Sequence, residues 1–269
     1  MLMFTINFLL NSQIMNPIHN LFINKNKNIL CIYFTAGFPH LNSTGKIIQI
    51  LQSTSVDLIE IGIPYSDPLA DGIIIQKSHK TSLNNGMNIS LLFDQIEELK
   101  EKIKVPIILM GYYNQFYQFG EDQFLKKCKK SGVSGLILPD LPIDIYANKY
   151  QNIFKKHLLS MIFLITPKTS NSRIFMLSKI SDGFLYIVSS SSTTGNVHPF
   201  GKEQISFFER IRKLSINTPK LIGFGINNKE TFDLSCKYAN GGIIGSSFIQ
   251  SLNKNKLEES IKTFIKSII

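Results

Sequence analysis

Cysteine is scarce and badly placed for any staple. Cys31, Cys128 and Cys236 are the only three among 269 residues, and none belongs to a CxxC or Cys/His ligand pattern. An odd, scattered set argues against both a disulfide framework and a zinc site and fits a reducing cytoplasm. Long apolar runs are missing as well: no segment approaches the ~18 consecutive apolar residues that a membrane span requires. The apolar stretch 4–10 lacks a basic flank and a small-residue cleavage site, so it does not read as a targeting signal. Met15 offers a second start, and residues 1–15 read as a candidate disordered extension ahead of one domain over 16–269.

Acidic residues are few, 19 against 29 Lys and Arg, which leaves a formal net charge of +10. What is absent is clustering. Lysines are interleaved with Asn and Ile along the chain, and EDQFLKKCKK (121–130) puts its acids first and its bases last, the order that complements a helix dipole. Without a basic patch or interleaved aromatics, these charges read as solvated helix faces. Neither a nucleic-acid nor a membrane partner is expected.

Hydrophobic residues make up 43% of the chain and charged residues 18%, enough to bury a sizeable core. Eight β-branched, apolar runs can be counted: 29–35, 56–63, 105–111, 134–140, 160–166, 183–189, 220–225 and 241–246. Their cores are nearly continuous apolar, as in parallel strands buried on both faces. Between them lie segments with apolar residues three and four apart, such as 90–103 and 202–214, which read as helices. Eight βα units without a linker predict a single-domain α/β fold, the (β/α)₈ TIM barrel, with an open doubly wound sheet as the alternative.

In a barrel the reacting groups sit at the C-terminal strand ends and in the loops that follow. The second run places the lone acid Glu60 inside an apolar strand and leads into Pro64-Tyr65-Ser66-Asp67-Pro68-Leu69-Ala70-Asp71-Gly72. A buried acid is costly unless it is paired or used, so Glu60 is either a catalytic group or a salt-bridged or rim glutamate. Asp67 and Asp71, taken alone, also read as turn or cap residues. After the seventh and eighth runs come Gly223-Phe224-Gly225 and Gly245-Ser246-Ser247. Paired glycine loops at these two positions predict a phosphate cradle and therefore a small phosphorylated substrate.

The segment LIEIGIPYSDPLADGIIIQ (58–76) closely resembles the signature of the tryptophan synthase α subunit family. YFTAGFP (33–39), PIILMGYYN (106–114), LILPDLP (136–142), GFLYIVS (183–189), GFGI (223–226) and IIGSSFIQ (243–250) resemble it in the same order. The resemblance covers the chain from about Met15 onward. It implies a carbon–carbon lyase that splits indole-3-glycerol phosphate into indole and glyceraldehyde 3-phosphate, with Glu60 and Asp71 as catalytic carboxylates and Tyr186 beside them. By the same resemblance, Tyr33, Met110, Tyr112, Thr194 and Phe224 would contact the indole substrate, and Gly195, Gly225, Gly245 and Ser246 the phosphate. Pro64, Tyr65, Asp67 and Asp140 would face a β subunit in an α2β2 heterotetramer. No metal or cofactor is implied in this chain, since pyridoxal phosphate belongs to the β partner.

One stretch departs from the family pattern. Ser189 to Gly195 keeps Thr194 and Gly195, but Ser192 replaces a glycine and Thr193 a valine. That puts loop closure in question more than chemistry, and leaves a catalytically weakened subunit that mainly activates its partner as the alternative. Another phosphate-binding aldolase or isomerase barrel would usually want a Schiff-base lysine or a different base at a strand end, and no predicted strand end carries a lysine. The short stretch before Tyr33 leaves room for only a reduced N-terminal helix. His19, His40, His79, His157 and His198 show no ligand spacing and read as surface or capping groups; Cys128 and Cys236 read as small apolar fillers on helices.

Overall fold

The computed structural model describes residues 15–68, 71–189 and 200–269. Nine parallel strands run β1 Ile29–Thr35, β2 Leu58–Gly62, β3 Ile107–Met110, β4 Gly135–Ile137, β5 Ser160–Met161, β6 Phe163–Ile165, β7 Leu185–Val188, β8 Lys220–Gly223 and β9 Gly241–Ile244. Their order is β5-β4-β3-β2-β1-β9-β8-β7-β6. β5 and β6 are two halves of the fifth predicted run, parted at Ile162: the first half pairs with β4 and the second with β7. A single run therefore closes the sheet on itself. The split is a correction to the continuous strand expected over 160–166, because one short segment changes neighbours midway. Eight βα units stand, in a nearly closed barrel whose two sheet ends, β5 and β6, are joined by the chain itself.

Side chains alternate along every strand. On β1, Leu30, Ile32 and Phe34 pack outward into the layer beneath the helices, while Ile29, Cys31 and Tyr33 face the lumen. On β2, Ile59 and Ile61 pack outward and Leu58 inward, so period two turns Glu60 into the lumen. The outer layer is covered by helices such as Ser43–Leu51, Lys202–Lys213 and Leu257–Ile268. The helix expected over 90–103 ends earlier: Ile89–Glu97 is α-helical and Lys100–Lys102 a 3₁₀ turn. EDQFLKKCKK lies within helix Glu121–Ser131, with Lys126 and Asp122 paired across one exposed turn at 2.5 Å.

The bottom of the barrel is sealed by the eight-residue helix Pro17–Asn24, the reduced N-terminal helix. Ile18 and Phe22 bury into the lumen, where Phe22 meets Phe184 at 5.9 Å. Asn16 fastens it. Its Oδ1 accepts the Ile18 N–H at 2.8 Å, and its Nδ2 donates to the carbonyls of Ser134 at 2.6 Å and Leu158 at 2.7 Å. Among the described residues no helix is long and apolar enough to cross a membrane.

Candidate active site

At the opposite end of the barrel lies a cavity of about 420 Å³, within the range of small-molecule sites. Its walls include Tyr33, Glu60, Asp71, Met110, Tyr186, Phe224, Gly225, Gly245 and Ser246, nine residues singled out from sequence. Met110, Phe224, Ile226 and Ile243 give the cavity apolar wall. Polar atoms gather at the carboxylates and at the two glycine loops.

Glu60 is 1% exposed, and neither carboxylate oxygen has a hydrogen-bond partner among the described residues. Loss of hydration, with a smaller contribution from the charge of Asp71, pushes its pKa up to about 8. The salt-bridged alternative is therefore corrected: nothing described pairs with this carboxyl, and the strand's alternation sends it inward rather than to the rim. Asp71 is also buried, and its pKa stands at about 6, raised by desolvation and held back by the Tyr112 hydroxyl, which donates to Oδ2 at 3.2 Å. Asp71 does not cap the helix that follows. Ile73–Asn84 begins at Gly72 with no side-chain cap. Asp67 lies on the exposed loop, where it accepts from Ser66 Oγ at 2.5 Å.

Two tyrosines frame the lumen, each leaning over the glycine that ends the next strand. A Cβ at Gly62 would collide with the Tyr33 hydroxyl, and one at Gly223 with that of Tyr186. Glycine at these two strand ends is what lets a phenol occupy the lumen at all. Burial and the surrounding acids drive both phenols well above their ordinary pKa, so both stay protonated donors. Phe224 meets Tyr186 edge-on at 6.3 Å. It does so from a left-handed backbone, φ 68°, costly for a bulky residue, and Ser189 Oγ holds its carbonyl at 2.7 Å. Strain of this kind, sustained by a specific bond, aims the ring into the cavity.

The loops after β2, β3 and β4 are knitted together at the rim. Tyr65 stacks on Tyr112 with ring centroids 4.7 Å apart. Gln115 accepts the Tyr112 N–H at 3.0 Å and donates to the Pro64 carbonyl at 2.8 Å. Asp140 accepts the Tyr113 N–H at 2.8 Å. Tyr112 is thus placed beside Asp71 rather than in the cavity wall. On the glycine side, Gly225 has φ 77°, and Ser246 Oγ is buried without a partner among the described residues. Thr194 and Gly195, with the altered 190–193 stretch and His198, lie outside the described residues.

Three features escaped the sequence reading. Asn227 and Gln250 put polar side chains on the cavity wall just past the two glycine loops, where position in the βα loop was the only signal. His79 is neither surface nor cap, and that expectation is corrected. It is 3% exposed and lies on the buried stripe Ile75, Ser78, His79, Ser82 of its helix, a three-four-seven spacing that was readable. His19, by contrast, is half-exposed and pairs with Asp182 at 2.7 Å. Among the described residues no group of three His, Cys, Asp or Glu could hold a metal ion.

The family model described as tryptophan synthase alpha chain matches residues 20–267. The chain is similar to the tryptophan synthase alpha chain of Karelsulcia muelleri, 59% identical over 95% of this chain and all of that one. It is 49% identical to that of Flavobacterium psychrophilum, over 91% of this chain and 97% of the relative. Its fold is similar to that of a mutant tryptophan synthase α-subunit from Pyrococcus furiosus, with TM-score 0.81, 30% identity and coverage of 91% and 98%. A barrel whose cavity holds a second carboxylate and a buried glutamate with no partner among the described residues, matched to these relatives over nearly its whole length, belongs to the tryptophan synthase alpha chain family.

Proposed function

We propose that this cavity binds indole-3-glycerol phosphate and splits it into indole and glyceraldehyde 3-phosphate, with Glu60 moving the protons and Asp71 holding the charge. One observation carries the assignment: the unpaired Glu60 carboxyl, pKa about 8, beside Asp71, about 6, in one cavity. Near neutrality Glu60 is then mostly protonated and Asp71 mostly ionised, so the two carboxylates take opposite roles. Glu60 gives its proton to indole C3, and the cationic ring that results is steadied by the Asp71 carboxylate at the ring N–H. Glu60, now ionised, takes the proton of the side-chain hydroxyl as the carbon–carbon bond breaks. The bond's electrons return to the ring, the hydroxyl carbon becomes the aldehyde of glyceraldehyde 3-phosphate, and Glu60 is left as it began.

Tyr33, Met110 and Phe224 form the ring's walls, with Tyr112 and Tyr186 fixing the carboxylate surroundings. Gly225, Gly245 and the unpartnered Ser246 hydroxyl receive the phosphate. We assign Thr194 and Gly195 to the same substrate and phosphate contacts on sequence resemblance. The pyridoxal phosphate of the complex belongs to the β subunit, and the carbon–carbon cleavage proposed for this chain is driven by acid–base catalysis. Pro64, Tyr65, Asp67 and Asp140 sit on the three joined rim loops, and we assign that rim to the β subunit in an α2β2 assembly. Residues 16–269 form the barrel domain with 1–15 as its extension, and three free cysteines favour a reducing cytoplasm.

The deciding experiment measures indole release by the purified chain, alone and with a β subunit, beside Glu60→Gln. Release that rises with the partner and vanishes in the variant supports the assignment. A chain that releases no indole in either setting, yet stimulates the β reaction, would make it an activator only. The intact carboxylate pair argues against that outcome.

A further inference from the structure

His79 is a buried titratable group for which the chemistry above has no use. Its ring lies between two elements that must agree in position. Nδ1 accepts the backbone N–H of Tyr65 at 2.9 Å, on the loop that leads to Asp71, and Nε2 lies 3.2 Å from the hydroxyl of Tyr33 on the lumen wall. An amide N–H can only donate, so Nδ1 must be bare and Nε2 must carry the proton. Nε2 therefore donates to the Tyr33 oxygen, leaving the Tyr33 hydroxyl proton free to be offered elsewhere. Burial keeps the ring neutral, its pKa pushed down to about 4, which preserves both bonds.

These contacts extend in both directions. Tyr65 stacks on Tyr112, whose hydroxyl donates to Asp71. Tyr33 is the register partner of Glu60, and its ring lies close to Gly245 at the glycine loop. We propose that His79 is a positioning residue that ties the Tyr65 loop to the Tyr33 wall, so that Asp71 and Glu60 are presented to the substrate in one fixed relation. The proposal rests on the lyase reading for its kinetic consequence, but its geometry can be read without any turnover.

Three variants separate the contacts. His79→Leu removes both bonds while filling the space. His79→Asn keeps an acceptor where Nδ1 lies and so the Tyr65 bond, and Tyr33→Phe keeps the ring while losing the hydroxyl. Misplacement of a reacting group is felt chiefly in kcat. His79→Leu is expected to lower kcat for indole release about tenfold or more, with KM within about twofold and the unfolding temperature lowered by only several degrees. His79→Asn and Tyr33→Phe each keep one of the two bonds, and both are expected to lose less than His79→Leu without matching the parent. A folded His79→Leu chain with the parent's kcat would overturn the proposal, as would equal losses of kcat and stability in the Leu and Asn variants, the mark of mere packing. Long-range ¹H–¹⁵N spectra of the histidine rings add a readout independent of activity: a proton on Nδ1 of His79 would overturn the proposal in an active or an inactive chain. If the parent chain releases no indole, the lyase reading fails, and the tautomer alone decides the His79 bond.

Discussion

The same strands build two cores that obey different rules. The outer layer, between sheet and helices, is filled by groups such as Leu30, Ile32, Phe34, Phe116 and Phe248, and is almost wholly apolar. The lumen begins the same way at its sealed end, with Ile18, Phe22 and Phe184. Toward the open end it turns to Tyr33, Glu60 and Tyr186, buried polar groups that an ordinary core would pair or exclude. Alternation along a strand thus divides labour: one face supplies stability, the other accepts instability where the reaction needs a dry, responsive carboxyl.

Substitutions should separate the two. Glu60→Gln is expected to reduce indole release by roughly 10³-fold or more, while leaving the fold intact. It should also stabilise the chain above pH 8. The folded pKa of Glu60 is about 8 against an ordinary 4.5, so between these values the folded chain holds a proton that the unfolded chain has released, and stability falls as pH rises. Denaturant titrations at pH 5 and pH 9 should show the variant gaining ~2–4 kcal/mol over the parent at the higher pH only. If it gains nothing there, the lumen is wetter than its geometry indicates. Phe34→Ala, in the outer layer, should do the reverse: a loss of ~3–5 kcal/mol in urea unfolding, with turnover per folded molecule unchanged.

Asp71→Asn is expected to cost about 10²-fold in kcat, since the ring cation loses its counter-charge. The pH profile of kcat/KM should rise through about 6 as Asp71 ionises and fall above about 8 as Glu60 does, the two limbs belonging to the pair. Smallest of all, Tyr112→Phe removes a bond that favours the ionised Asp71. It should shift the acidic limb upward by up to about one pH unit, and an unmoved limb would show that the 3.2 Å contact does not operate in solution.

Much of this was legible in the sequence, for identifiable reasons. Strands buried on both faces leave an unbroken apolar trace, so all eight runs could be counted, and one acid inside such a trace marked Glu60. The break at Ile162 could not be read, because nothing local records that a segment changes neighbours halfway along. Asp71 looked like a cap on local grounds, and only the long motif around it distinguished it. His79 was misjudged because its role lies in two partners 14 and 46 residues away, a backbone amide and a phenol, which no spacing rule for ligands detects.

Asn16 belongs to the first turn of the described chain, yet its amide nitrogen is satisfied only by carbonyls 118 and 142 residues further on. In a chain made from its N-terminus, the seal is therefore made before its partners and seated late. Helix Pro17–Asn24, too short to persist alone, must wait until Ser134 and Leu158 exist to hold it. Until then the floor of the lumen is open, and closing it registers that β4 and β5 have come together correctly.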